Sequence, residues 1–126
     1  MAGKPTVLII DDDTVLRSLM SSILRQEEYV VCGEASAADA GLKLCEQLKP
    51  GIVLLDINLP DHDGLEVLPE MLQMAHRPKV IMVSGEATME RVRAALGAGA
   101  SGFVVKPLNA AKLIAAMEHA LKSRAG

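Results

Sequence analysis

The sequence predicts an α/β protein of the (βα)5 type, five strand–helix units doubly wound around a parallel sheet. Three observations predict it. Four apolar runs are short, unalternating and rich in β-branched residues, the pattern of strands buried on both faces of a parallel sheet. The stretches between them carry apolar residues at helical spacing. The connections are a few residues long, as α/β layer sandwiches with right-handed crossovers require.

In chain order, Val7-Leu8-Ile9-Ile10 gives a first strand near 6–10. Asp13 stands where it can cap the next helix, whose predicted inward residues are Leu16, Leu19, Met20, Ile23 and Leu24. A weaker run, Tyr29-Val30-Val31-Cys32, ends at Gly33 and reads as an edge strand near 29–33, with Tyr29 at the edge of the core. Ser36 opens a second helix with Ala40, Leu44, Cys45 and Leu48 inward, and Pro50 and Gly51 close it. Ile52-Val53-Leu54-Leu55 is the third strand, near 51–55. Leu65, Leu68, Met71 and Leu72 mark a third helix, in which Pro69 is tolerable only at an early position. Val80-Ile81-Met82-Val83 is the fourth strand, near 79–83, and a helix from about Thr88 to Ala98 follows, ended by Gly97 and Gly99. Phe103-Val104-Val105 is the fifth, near 102–105, and the last helix starts near Asn109 and turns Leu113, Ile114, Met117 and Leu121 inward. No linker or low-complexity tract interrupts the pattern, so 1–126 reads as one domain.

Composition narrows the function by exclusion. Half of the chain is hydrophobic, which excludes intrinsic disorder, and Tyr29 and Phe103 are its two aromatics, so the core is aliphatic. So few aromatics argue against a base-stacking platform for single strands. A net charge of -3 argues against a phosphate-backbone binder, and no direct nucleic-acid binding is expected. Cys32 and Cys45 have no CxxC spacing, so neither a disulfide framework nor a zinc site is expected. His62, His76 and His119 are scattered and read as surface residues. No apolar run reaches the ~18 residues of a membrane span. Residues Met1 to Thr6 show no secretory h-region, and a cytoplasmic location is expected.

Open α/β sheets bind ligands beyond the carboxyl ends of their strands. After the first strand comes Asp11-Asp12-Asp13; after the third, Asp56 and then Asn58; after the fourth, Ser84-Gly85-Glu86; after the fifth, Lys106-Pro107. Each residue alone is ordinary as a cap, a turn or a surface charge. Together they bring carboxylates, a hydroxyl and an ammonium to one edge. Clustered carboxylates repel, and a hard divalent cation with oxygen ligands relieves them; Mg2+ takes one or two carboxylates plus phosphate. Phosphoryl transfer needs little beyond such positioning and neutralisation, and Asp56 is the natural nucleophile.

These motifs resemble the receiver domain of two-component response regulators. The carrying segments are Ile9-Ile10-Asp11-Asp12-Asp13, the stretch from Leu54-Leu55-Asp56 through Asn58-Leu59-Pro60 to Asp63-Gly64, Met82-Val83-Ser84-Gly85-Glu86, and Gly99-Ala100-Ser101-Gly102 running into Phe103-Val104-Val105-Lys106-Pro107. The resemblance spans essentially the whole chain and implies a flavodoxin-like three-layer sandwich with strand order 2-1-3-4-5. It implies that Asp56 is the phosphoacceptor, fed by a sensor histidine kinase or a histidine phosphotransfer domain. It places Mg2+, with Mn2+ as substitute, on Asp11, Asp12, Asp56 and the backbone carbonyl of Asn58, with Asp11 acting mainly through water. Asp13 is then a cap and not a ligand. Ser84 and Lys106 would each meet a phosphoryl oxygen, and the Lys106–Pro107 bond is expected to be cis.

The resemblance also implies a switch. Ser84 moves toward the phosphoryl group, Phe103 fills the vacated space, and the fourth-helix, fifth-strand, fifth-helix face changes shape. Phe103 stands where many relatives carry Tyr, and lacks the hydroxyl. Asn58 and Glu86 would tune the acyl-phosphate lifetime; both are small or polar enough to admit an in-line water, which predicts moderate to fast self-dephosphorylation. Val15, with Pro107 and Leu108, reads as an apolar docking patch for a kinase four-helix bundle. A homodimer on activation through the fourth-helix face is a further expectation. A flavin-binding reading fails on the phosphate-repelling first loop and the missing aromatics. A non-phosphorylated pseudo-receiver, a pure interaction module, is an alternative that the intact acidic cluster, Asp56 and Lys106 argue against. The output is open between a stand-alone receiver and a receiver fragment of a longer DNA-binding or enzymatic regulator; the segment Cys32-Gly33-Glu34-Ala35 resembles receivers attached to helix-turn-helix domains.

Overall fold

Because successive strand residues point to opposite faces, each apolar run supplies two cores at once. In the computed structural model, which describes residues 4–122, β1 (Thr6–Ile10), β3 (Ile52–Leu55) and β4 (Lys79–Ser84) do so almost without solvent exposure. Leu8, Ile10, Val53, Leu55, Val80 and Met82 face one side; Val7, Ile9, Ile52, Leu54, Ile81 and Val83 face the other. With β2 (Val30–Ala35) and β5 (Gly102–Val105) at the edges, the sheet is parallel throughout, in the order 2-1-3-4-5. On one face lie α2 (Ala38–Leu48), α3 (Gly64–Leu72) and α4 (Met89–Gly97), and on the other α1 (Thr14–Gln26) and α5 (Ala110–Lys122). The chain is the doubly wound three-layer sandwich expected, with all five strands and five helices in place. The ends of the predicted domain, Met1–Gly3 and Ser123–Gly126, lie outside the described residues.

The helix starts follow capping chemistry. Asp13 accepts from Leu16 N, Asp63 from Leu65 N, Thr88 from Arg91 N and Asn109 from Lys112 N, each satisfying an amide that the helix leaves orphaned. The second helix departs from expectation. Its N-cap is Ala37, and not Ser36, with no side chain of its own to offer. Asp61 caps it from across the molecule, accepting from Ala38 N at 2.8 Å and Asp39 N at 3.0 Å. Those two amides hold the Asp61 carboxyl below its usual pKa. Its contribution is therefore present above the ordinary carboxylate range and lost as pH falls through the lowered value. Asp61→Ala is expected to fray the first turn of α2, seen as faster hydrogen exchange at Ala38 and Asp39, with the stability gap to wild type closing in acid.

Other differences have local causes. Leu19, Leu48 and Leu121 are 45%, 40% and 40% exposed, and Ala40 is exposed, so four predicted inward residues face out. Small neighbours take their places: Ser21 in α1, Ala38 and Gly41 in α2, and Ala120 in α5. A wide apolar stripe specifies a helix's rotation only to within a neighbouring position. Pro69 sits sixth in the nine-residue α3, beyond the early turn expected. Val67, passed over in the sequence, is buried there. Neither is β2 ended by Gly33; it runs to Ala35 because the pairing slips between Val7 and Leu8, which brings Gly33 opposite Leu8 and leaves Cys32 out of the ladder. The fifth strand lies at the edge that the order 2-1-3-4-5 assigns it, but its run is not buried on both faces as its apolar pattern suggested: Val105 is exposed. Tyr29, 3% exposed, is core and not its margin, with Lys4 Nζ 4.5 Å from the ring centre.

Both cysteines are free thiols. Burial, with Glu46 and Cys32 adding, pushes Cys45 up to about 11, so it is inert as a thiolate. His76 is half-buried beside it, Nε2 3.7 Å from Sγ, and not a plain surface residue. No helix among the described residues is long and apolar enough to cross a membrane.

Candidate functional site

Parallel strands place all their carboxyl ends on one edge, so residues 45 and 50 positions apart in the chain become neighbours there. Asp11, at the end of β1, is 1% exposed, and Asp56, at the end of β3, is 4% exposed. Asp12 is exposed beside them, and one oxygen from each of the three lies within 4.8 Å of the others. Lys106, just past β5, places Nζ 3.0 Å from Asp11 Oδ2 and 3.2 Å from Asp56 Oδ2. The Lys106–Pro107 peptide is cis. Ser84, the last residue of β4, is fully buried, and its Oγ accepts from Glu86 N at 3.1 Å. Strand-end residues read from the sequence as separate signals thus meet at one place.

The site carries three carboxylates and one ammonium, and is acidic on balance. Burial first, then the Asp11 charge, push the Asp56 carboxyl above its usual pKa, although Lys106 and the Asn58 amide pull it down. Burial works against the Lys106 charge, but its hydrogen bond to Asp11 and the charges of Asp56 and Asp11 outweigh it and hold the ammonium above its usual pKa. Two buried carboxylates and an exposed one face a single ammonium, and all the donors are oxygens. That set fits a hard divalent ion such as Mg2+. Asn58 N donates to Asp56 Oδ1 at 3.3 Å, which ties the backbone of the Asn58 loop to this carboxylate.

The remaining predicted residues fall as follows. Phe103 pairs with Met82 and shares that side of the sheet with Ser84, two residues further along β4; it is half-buried against the cluster under α2, α3 and α4. Tyr29 lies in the other cluster, so the two aromatics are separated by the sheet. Val15 is 78% exposed in the first turn of α1; Pro107 is exposed and Leu108 half-buried on the α1–α5 side. His62 Nε2 lies 3.2 Å from Asp39 Oδ1 at the surface, and His119 is exposed on α5.

Some residues at the site carried no sequence signal. Arg17 Nη1 donates to the Asp11 carbonyl at 2.6 Å and its Nε pairs with Glu34 at 3.3 Å, tying α1 and β2 to the acidic loop. Arg91 Nη1 donates to Asp63 Oδ2 at 3.1 Å. Asn58 Nδ2 donates to Glu86 Oε1 at 2.8 Å, so the two lifetime-tuning residues, expected to leave a path for an in-line water, are instead bonded to each other across it. Of these four contacts, all but the one from Arg17 to Asp11 join segments distant in sequence, and no spacing rule reports such a meeting.

The sequence profile of the response regulator receiver domain matches residues 7–118. A chemotaxis protein CheY of Listeria monocytogenes is 35% identical over 116 residues, covering 92% of this chain and 98% of that protein. The virulence-factor transcription regulator BvgA of Bordetella pertussis is 36% identical over 116 residues, covering 87% of this chain but 56% of its own length. Among solved structures, a CheY-like response regulator receiver domain protein from Methanospirillum hungatei superposes with a TM-score of 0.86 at 34% identity, with 95% of each chain covered.

Proposed function

This chain belongs to the response regulator receiver domain family of two-component signalling, and from that premise we propose that it is a phosphoaccepting switch with Asp56 as its phosphoacceptor. One observation carries the reading: the Lys106 ammonium lies between Asp11 and Asp56 at 3.0 and 3.2 Å, with Asp12 beside them, at the carboxyl edge of the sheet. A response regulator protein from Burkholderia pseudomallei, 25% identical with a TM-score of 0.83 over 95% of this chain and 70% of its own, was solved with a phosphorylated aspartic acid and a calcium ion.

In the proposed transfer, Asp56 attacks the phosphorus of a donor phosphohistidine on a kinase or phosphotransfer domain. The new bond is oxygen–phosphorus; the phosphorus–nitrogen bond breaks, and the imidazole leaves with the electron pair and is reprotonated from water. Asp11, Asp12, Asp56 and the Asn58 carbonyl would hold Mg2+, or Mn2+ in its place, and the bound ion supplies neutralisation of phosphoryl charge. Lys106 pairs with one phosphoryl oxygen, exchanging a carboxylate contact for it. Ser84 donates its hydroxyl proton to another. Such contacts favour an active conformation only by what they gain over the resting one. Phe103, beside Met82 and on the face of Ser84, is the side chain placed to follow that movement, and the surface of α4, β5 and α5 is the output face. The Val15, Pro107 and Leu108 side chains are the proposed kinase-docking patch.

The test is incubation with acetyl phosphate, and separately with beryllofluoride, each with Mg2+. Wild type is expected to gain one phosphoryl group by intact mass and to shift its NMR resonances around Ser84 and Phe103. Asp56→Asn is expected to do neither. A wild type that shows no Mg2+-dependent response overturns the reading.

A further inference from the structure

Two loops meet beside Asp56. Asn58 follows β3, Glu86 follows β4, and the Asn58 amide donates to Glu86 Oε1 at 2.8 Å. The second Glu86 oxygen, Oε2, faces Arg91 Nε at 4.0 Å. Arg91 is itself held at both ends: its backbone N donates to Thr88 Oγ1 at 3.2 Å, and its Nη1 donates to Asp63 Oδ2 at 3.1 Å. Asp63 is in turn fixed by capping α3 through its other oxygen, at 2.8 Å from Leu65 N. The contacts thus run from α3 through Asp63, Arg91 and Glu86 to Asn58, two residues past the proposed phosphoacceptor.

We infer that Arg91 is a positioning residue for the phosphoryl site: it holds the Glu86 carboxylate where it receives the Asn58 amide, so that the two side chains form an arch beside Asp56 that slows the entry of water to the acyl phosphate. The inference rests on Asp56 being the phosphoacceptor. Glu86 is 54% exposed and flexible, so by itself it has little reason to stay in one rotamer. Arg91 supplies the reason, with one charge facing two carboxylates. Exposed pairs of this kind add little to folding stability. Their effect falls on geometry, and hydrolysis is sensitive to geometry. Water must attack the phosphorus in line; the phosphorus–oxygen bond to Asp56 breaks, the carboxylate leaves with the electron pair, and both water protons end on the released phosphate. An arch that rarely opens lowers the frequency of that attack.

The experiment loads wild type, Arg91→Gln, Arg91→Lys, Asn58→Ala and the Arg91→Gln/Asn58→Ala double variant with acetyl phosphate and Mg2+, removes the donor and follows decay by intact mass. Arg91→Gln leaves the Thr88 cap of α4 intact and is expected to fold. It should lose the phosphoryl group about three- to tenfold faster, the equivalent of one hydrogen bond. Arg91→Lys should fall between it and wild type. The double variant should decay no faster than Asn58→Ala alone, because both changes open the same arch. Raising salt from about 0.1 M to about 1 M should speed wild type and leave Arg91→Gln unchanged. Decay of Arg91→Gln at the wild-type rate, or multiplication of the two single effects in the double variant, overturns the inference while leaving Asp56 as phosphoacceptor. A wild type that never loads overturns both.

Discussion

Gly64→Ala is expected to be the most damaging single-methyl change in the site region. A Cβ at Gly64 would lie 2.1 Å from the Asp56 carbonyl oxygen, 2.9 Å from Ile57 Cα and 3.0 Å from the Asp56 carbonyl carbon. All three are backbone atoms, so no side chain can swing aside. The contact cannot loosen cheaply either, because Gly64 N donates to Ile57 O at 2.6 Å and Asn58 bridges to Asp63 across the same loop. The first residue of α3 is thus pressed on the peptide of the proposed phosphoacceptor. Overpacking without an escape route costs about 3 kcal/mol, a drop in melting temperature on the order of 10 °C for a chain of this size. The folded remainder should also phosphorylate slowly, since the added methyl displaces Asp56. Gly97→Ala is the internal control: it lies in α4, nothing is within 4 Å of its Cβ position, and Gly99, not Gly97, has the positive φ, 112°. Alanine there should be neutral or stabilising by about 0.5–1 kcal/mol. Equal melting temperatures for Gly64→Ala and Gly97→Ala would show that the loop is free to yield.

That contrast shows what the sequence made legible. The strands were legible because parallel burial leaves unmixed apolar runs, and the strand ends were legible because the topology aligns them. Asp11, Asp56, Ser84 and Lys106 therefore could be placed on one edge with no coordinates. Helix rotation was less legible: Leu19, Leu48 and Leu121 are apolar, yet Ser21, Gly41 and Ala120 are the buried neighbours. There, close approach of helix to sheet selects small side chains over greasy ones; a Cβ on Gly41 would meet Ile10 Cδ1 at 2.5 Å. Least legible were contacts made by loops crossing in space. Asp61 capping α2, and Arg91 reaching Asp63 and Glu86, join segments with no shared periodicity or spacing.

Lys106→Met is expected to have the largest electrostatic effect. Methionine keeps the stem and removes the charge, leaving the Asp11 and Asp56 carboxylates together without their shared ammonium. Breaking a buried pair from one side costs about 3–5 kcal/mol, and because Nζ belongs to a side chain 23% exposed, a value just below that range, about 2–3 kcal/mol at neutral pH without Mg2+, is expected. The pH dependence has a definite sign on both limbs. The Lys106 pKa is raised on folding, so its contribution is full below the ordinary lysine value and lost as pH rises through the raised one. The Asp56 pKa is also raised, and removing Lys106 raises it further, so the folded variant holds a proton that the unfolded chain releases. Its stability therefore falls as pH rises through the window above the ordinary carboxylate range. The gap between variant and wild type should be small in acid, widest near neutrality and small again above the raised lysine pKa. Mg2+ should close it at pH 7, since the ion neutralises the carboxylates that the ammonium no longer serves. For the same reason, Lys106→Met should bind Mg2+ more tightly than wild type in calorimetric titration, having no resident cation to compete. A variant as stable as wild type at pH 7, with unchanged Mg2+ affinity, would mean that the Lys106 ammonium is not the resting counter-charge of this site.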